Sequence, residues 1–167
     1  MSVETPLNIA VITVSDTRTP ETDKSGDVLV ESLLAAGHRL QQRQIVPDDI
    51  YQLRAAVSLA IADPDIHAIL MTGGTGFTAR DNTQTAIQPL FDESIDGFGE
   101  LFRALSYEEI GTSTIQSRVF AGLANGCIIF CLPGSPGACR TGWEGIIAEQ
   151  LDSSHKPCNF VDKLKLD

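Results

Sequence analysis

Three short segments carry residues suited to holding an anion, and each ends an apolar run. Thr13-Val14-Ser15-Asp16 ends the first, Thr72-Gly73-Gly74-Thr75-Gly76 the second and Pro133-Gly134-Ser135-Pro136-Gly137 the third. Glycine lets the backbone approach a ligand closely, so that successive N–H groups can cradle a phosphate. The hydroxyls of Ser15 and Ser135 are further candidate donors. The same glycine run is also an ordinary turn when taken alone. It is neither a Gly-Lys-Ser/Thr phosphate loop nor a dinucleotide fingerprint, since Gly74-Thr75-Gly76-Phe77-Thr78-Ala79 lacks the third glycine. Arg80-Asp81 follows within a few residues. Beside a phosphate cradle this pair reads as one phosphate donor and one Mg²⁺ ligand, because Mg²⁺ typically takes one or two carboxylates and completes its shell with substrate phosphate. Elsewhere it would be a solvated ion pair of small worth. Asp48, in the turn Pro47-Asp48-Asp49, reads locally as a helix cap, as does Asp49. Asp92-Glu93 and Glu108-Glu109 read as solvated faces, and nothing has the order of a Ser-His-Asp site.

A metal site built on cysteine or histidine, and thiol chemistry, find little support. Cys127, Cys131, Cys139 and Cys158 show no C-x-x-C spacing, and His38, His67 and His155 are scattered without neighbouring ligands. Cys127 and Cys131 lie in an apolar run and read as small core residues. The cysteine usage suits a reduced, cytoplasmic protein.

The elements that must position the three segments alternate. Leu7 to Val14, Ala68 to Thr72 and Cys127 to Leu132 read as buried strands, and Arg39 to Val46 as a less apolar one. Helical spacing of apolar residues appears from Val28 to Ala36, closed by Gly37, and from Ile50 to Ile61, closed by Asp63-Pro64. Further helices are predicted over Thr83 to Phe91, Phe98 to Glu109 and Ala138 to Leu151, the last placing Trp143 in the core. Ser15 to Ser25 is a long loop, Gly122 to Gly126 reads as a turn region, and the tail from Asp152 has no strong period. This alternation predicts an α/β fold with a mostly parallel sheet and helices on both faces. In such sheets ligands bind beyond the carboxyl ends of the strands, so the three loops should converge on one pocket.

The 167 residues favour a single domain spanning 1–167, and 43% hydrophobic with 20% charged residues is the balance of a soluble globular chain. A formal net charge of -10 makes nucleic acid and anionic membrane poor partners. The longest nearly apolar run, Leu7 to Val14, is far shorter than a membrane span, and Met1 to Pro6 has neither a basic n-region nor a cleavable apolar segment.

Taken in order, Thr13-Val14-Ser15-Asp16, Thr72 through Gly76, Arg80-Asp81, Gly97-Phe98-Gly99-Glu100, Ser117-Arg118 and Leu132-Pro133-Gly134-Ser135-Pro136 resemble the motifs of the MoaB/Mog molybdopterin-binding family. The resemblance covers nearly the whole chain. Leu105 through Ser113 and Ala138 through Phe160 are most similar to its MoaB branch. It implies a three-layer α/β/α fold with one antiparallel edge strand, and homotrimers or homohexamers. It implies Mg²⁺-dependent adenylylation of molybdopterin by ATP, in concert with other molybdenum cofactor assembly proteins. Asp48 and Asp81 would then be the catalytic, metal-holding aspartates. Ser15, Gly73, Gly74, Thr75, Gly76, Ser117, Arg118, Gly134 and Ser135 would bind the substrates. After Asp81 the family's enzymes continue with an apolar residue and then Thr-Pro-Glu-Ala, whereas this chain has Asn82-Thr83-Gln84-Thr85-Ala86. The missing Pro and Glu keep open a second reading, a molybdopterin carrier without turnover.

Overall fold

The computed structural model describes residues 2–166. A six-stranded sheet runs in the order β2-β1-β3-β6-β5-β4, with β1 (Asn8–Val14), β2 (Arg39–Val46), β3 (Ala68–Thr72), β4 (Glu93–Ser94), β5 (Phe120–Ala124) and β6 (Cys127–Leu132). β2, β1, β3 and β6 are mutually parallel, so Val46, Val14, Thr72 and Leu132 all end on one edge. β5 is antiparallel to both β6 and β4, which makes the antiparallel edge.

Helices cover both faces because the strand side chains alternate between two cores. Ile9, Val11, Leu70, Ile128 and Phe130 face one cluster. It is closed by α1 (Lys24–Ala35), α4 (Asp96–Ile110) and the helical stretch formed by α5 (Pro136–Gly142), a π-helical turn (Trp143–Ile147) and α6 (Ala148–Gln150). Ala10, Ile12, Ile69, Met71 and Ile129 face the other, closed by α2 (Ile50–Ala62) and α3 (Thr83–Ile87). This is the expected three-layer α/β/α arrangement. Cys127, Cys131 and Cys139 are buried thiols, burial pushing Cys127 up to about 12 and Cys139 to about 11, so none supplies a thiolate at neutral pH. Among the described residues no helix is long and apolar enough to cross a membrane.

Two local expectations are corrected. Gly122 is not in a turn but inside β5, and the turn is confined to Asn125 and Gly126, both at positive φ (50° and 67°). Gly122 sits under the Phe91 ring, and a Cβ there would lie 2.2 Å from it. Strand propensity gives way to that packing. The helix expected to reach Phe91 instead ends at Ile87 and tightens into a 3₁₀ turn over Gln88–Leu90, because Pro89 cannot donate the next helical hydrogen bond.

Candidate active site

The chain order reverses between β1 and β3, which leaves a crevice beyond their ends. A cavity of about 330 Å³ lies there, lined by the loops after β1, β2, β3 and β6. Ser15, Asp48, Gly73, Gly74, Asp81 and Gly134 all border it, together with Arg18 and Arg80.

The glycine loop is held tightly enough to fix its donors. Gly73 (φ 105°) passes so close to β1 that a Cβ would lie 2.3 Å from the Val14 carbonyl oxygen. Gly74 (φ 69°) would place a Cβ 2.2 Å from Thr83 Oγ1. The Gly73 N–H donates to the Leu132 carbonyl (3.0 Å), and Thr83 returns with its hydroxyl to the Gly73 carbonyl (2.8 Å) and its N–H to the Gly74 carbonyl (3.1 Å). Among the described residues the N–H groups of Gly74 and Thr75 find no such partner; Gly74 lines the cavity and is the donor left for an anion there, whereas Thr75 is buried outside it. Gly134 is packed against Gly73, and its carbonyl accepts the Ser25 hydroxyl (2.9 Å).

Four carboxylates line the cavity, and their partners divide them in two. Asp23 caps α1, accepting the Gly26 N–H (3.0 Å) and the Thr13 hydroxyl (2.7 Å), and it pairs with Arg43 (3.2 Å). Asp16 pairs with Arg80. Asp48 and Asp81 pair with no cation among the described residues. Asp48 is only 5% exposed. Its Oδ1 accepts the Asn82 N–H (2.9 Å), and its Oδ2 faces Gly74 without a hydrogen bond among the described residues. Burial raises its pKa above the ordinary carboxylate value, the Asn82 contacts oppose this, and the fields of Asp81 and Asp16 add to it. In Asp81 burial also pulls upward, but the Thr78 hydroxyl (2.6 Å) and N–H (2.9 Å), the Gly76 N–H and the Arg118 field outweigh it, and its pKa is lowered. The cap of α2 is Asp49, which accepts from Tyr51 and Gln52; Asp48 is thereby freed to face the cavity.

These donors fit a hard divalent cation. Both Thr78 contacts fall on Asp81 Oδ2 and the Asn82 N–H on Asp48 Oδ1, and the two carboxylates repel one another. No group of three His, Cys, Asp or Glu residues could ligate a metal among the described residues. A bound Mg²⁺ would therefore take two carboxylates and complete its shell with phosphate and water.

The other expected binding residues lie around the cavity rather than on it. Ser135 caps α5, accepting the Ala138 N–H (3.2 Å). Arg118 braces the glycine loop from behind: its N–H donates to the Thr75 carbonyl (2.8 Å), its guanidinium to the carbonyls of Gly76 (2.9 Å) and Asp81 (3.1 Å), and it stacks on Phe77 (4.7 Å). Ser117 and Arg118 border a neighbouring hollow with Gln84 and Arg103. Ser15 Oγ accepts the N–H groups of Thr17 and Arg18, so only its hydroxyl proton remains for a ligand. The Asp16–Arg80 pair and the brace by Thr83 escaped the sequence reading; nothing in a linear spacing joins residues 64 apart.

The model of a probable molybdopterin-binding domain matches residues 10–153. The chain belongs to the MoaB/Mog molybdopterin-binding family. Molybdenum cofactor biosynthesis protein B of Escherichia coli K12 is 52% identical over 160 residues, covering 96% of this chain and 94% of that protein. Its counterpart in Bacillus subtilis strain 168 is 45% identical over 142 residues, 84% of each chain. A crystal structure of molybdenum cofactor biosynthesis protein B superposes with a TM-score of 0.86 at 42% identity, covering 88% of this chain and 92% of that one. The tungsten cofactor synthesizing protein MoaB of Pyrococcus furiosus gives 0.78 at 40% identity, covering 86% and 92%. The chain shares this molybdopterin-binding family's mixed sheet with its antiparallel edge.

Proposed function

We propose that the protein adenylylates molybdopterin with Mg²⁺ and ATP. One observation supports this reading: of the four carboxylates in the cavity, Asp48 and Asp81 have no ion-pair partner among the described residues, and they share the cavity with Gly74, whose N–H has no backbone partner there. The terminal phosphate oxygen of molybdopterin attacks the α-phosphorus of ATP, the α–β anhydride bond breaks, and pyrophosphate leaves. The Gly74 N–H holds a phosphate oxygen, and the Ser15 hydroxyl donates a further bond. Asp48 and Asp81 would hold Mg²⁺, which supplies charge neutralisation for the leaving pyrophosphate. Fixed donors and alignment suffice for such a transfer without a covalent enzyme intermediate.

The carrier reading rests on Gln84 and Thr85 standing where the family's enzymes have Pro and Glu. Neither residue lines the cavity, and Thr85 is exposed with its carbonyl accepting from Arg54 (3.1 Å), which favours the enzymatic reading over the carrier. We assign the protein to the cytoplasm, where its buried thiols stay reduced, beside other cofactor assembly proteins, and to a homotrimer or homohexamer. The segment from Phe98 to Arg118 exposes Leu101, Tyr107, Ile110 and Ile115 and is the proposed interface. Asp81→Asn tests the chemistry. It should lower Mg²⁺-dependent adenylylation by about 10²–10³ while leaving pterin binding intact. Equal rates for the two proteins would remove Asp81 from the metal site.

A further inference from the structure

Arg80 is well placed to meet an anion in the cavity, yet its guanidinium fork is closed. Nε donates to Asp16 Oδ2 at 3.0 Å and Nη2 to Asp16 Oδ1 at 2.8 Å. This bidentate pair joins the loop after β1 to the loop after β3, and both residues line the cavity. The side chains are 61% and 37% exposed. An exposed pair of this kind contributes little to stability, so opening it is easy. Asp16 has a second duty, because its Oδ1 also accepts the Asp48 N–H at 3.0 Å. It therefore positions the turn that carries the buried carboxylate even when Arg80 departs.

A guanidinium fork matches two phosphate oxygens as well as it matches a carboxylate. We propose that Asp16 is the resident occupant of a polyphosphate receptor: it fills the fork of Arg80 in the free protein, and the polyphosphate of the nucleotide displaces it. The inference rests on the nucleotide reading given above and adds which cation receives the leaving pyrophosphate. The exposed rim suits that role, since a leaving group must reach solvent, whereas the reacting phosphate belongs deeper, at Gly74 and Asp48. Displacement also sets a condition. Asp16 released from Arg80 becomes a third unpaired carboxylate beside Asp48 and Asp81, so the polyphosphate must arrive with its divalent cation.

Calorimetric binding of inorganic tripolyphosphate with Mg²⁺, and of inorganic phosphate with Mg²⁺, tests this on the whole protein. The proteins compared are the natural chain, Asp16→Asn, Arg80→Gln and the double variant. Asn keeps an oxygen for the Asp48 N–H, and matching melting temperatures confirm that the variants fold. Asp16→Asn should tighten tripolyphosphate binding about threefold to fivefold by freeing the fork. Arg80→Gln should weaken it about tenfold. In the Arg80→Gln background the gain from Asp16→Asn should vanish. Arg80→Lys, which keeps charge without the fork, should fall between. Weaker binding in both single variants would make the pair a structural tie and overturn the proposal. An equal gain with and without Arg80 would reduce it to a general field effect and overturn it too. The same pattern with inorganic phosphate would place a phosphomonoester at Arg80 instead, and absence of tripolyphosphate binding in every protein would also refute it. The readout involves no turnover. The expected pattern without adenylyl transfer would sink the enzymatic reading alone, and adenylyl transfer without the pattern would sink this inference alone.

Discussion

Replacing His38 by glutamine should flatten the acid limb of the protein's stability curve. His38 lies between α1 and β2, 4% exposed, edge-on to Trp143 at 6.3 Å. Its Nδ1 accepts the Leu7 N–H (3.1 Å), which puts the ring proton on Nε2, where no partner is found among the described residues. A second proton would charge a buried ring and remove the acceptor of Leu7. Burial accordingly lowers the pKa from 6.5 to about 4, partly offset by the field of Asp152. The folded pKa is thus below the unfolded one. Above pH 6.5 neither state binds the proton and stability is complete. Between 6.5 and about 4 only the unfolded chain binds it, so stability falls as pH falls, and below about 4 the loss levels off. At 1.36 kcal/mol for each tenfold change in proton affinity, the loss totals about 3 kcal/mol. Glutamine can accept from Leu7 but does not titrate. Urea unfolding of both proteins from about pH 7.5 to about 4 should show the natural chain losing about 3 kcal/mol more than the variant across that window. Parallel curves, within about 0.5 kcal/mol, would refute the assignment.

Gly74→Ala forces a side chain into a left-handed conformation and against Thr83 Oγ1. Strain plus the lost Thr83 hydrogen bond should cost about 2–3 kcal/mol, read by urea unfolding, and weaken phosphate binding in parallel. Asp48→Asn removes a buried charge held without a cation, so its melting temperature should equal or exceed that of the natural chain while Mg²⁺-dependent turnover falls by about 10²–10³. Light scattering at micromolar concentration should report a trimer or hexamer, and a Leu101→Lys, Ile110→Lys double variant should shift it toward monomer; a monomeric natural chain would contradict the proposed interface.

The parts of the fold legible in the sequence are those decided by burial alone. β1, β3 and β6 are buried along nearly their whole length, and such runs announce themselves; the convergence of their loops follows from their being parallel. β5 was hidden because its residues were selected for what lies over them: Gly122 gives up strand propensity to admit Phe91. The adjacent aspartates show a finer limit. Asp48 and Asp49 are equally good caps by local chemistry, and only the register of α2 gives that role to Asp49 and turns Asp48 inward. The glycine loop was visible as a phosphate cradle, but which of its N–H groups remain free depends on Leu132, fifty-nine residues away from Gly73. The charge pattern of the cavity, with Asp16 and Asp23 neutralised by Arg80 and Arg43, arises wholly from such distant pairs.

In the proposed reaction Asp48 and Asp81 serve a nucleotide and a pterin phosphate together. Its most direct measurement is mass-spectrometric detection of adenylylated molybdopterin, with pyrophosphate released in equal amount, from purified protein, molybdopterin and ATP. Product should form with Mg²⁺, be absent with chelator and be lost in Asp81→Asn. Saturating molybdopterin binding with no adenylylated product under any nucleotide or divalent cation would contradict it.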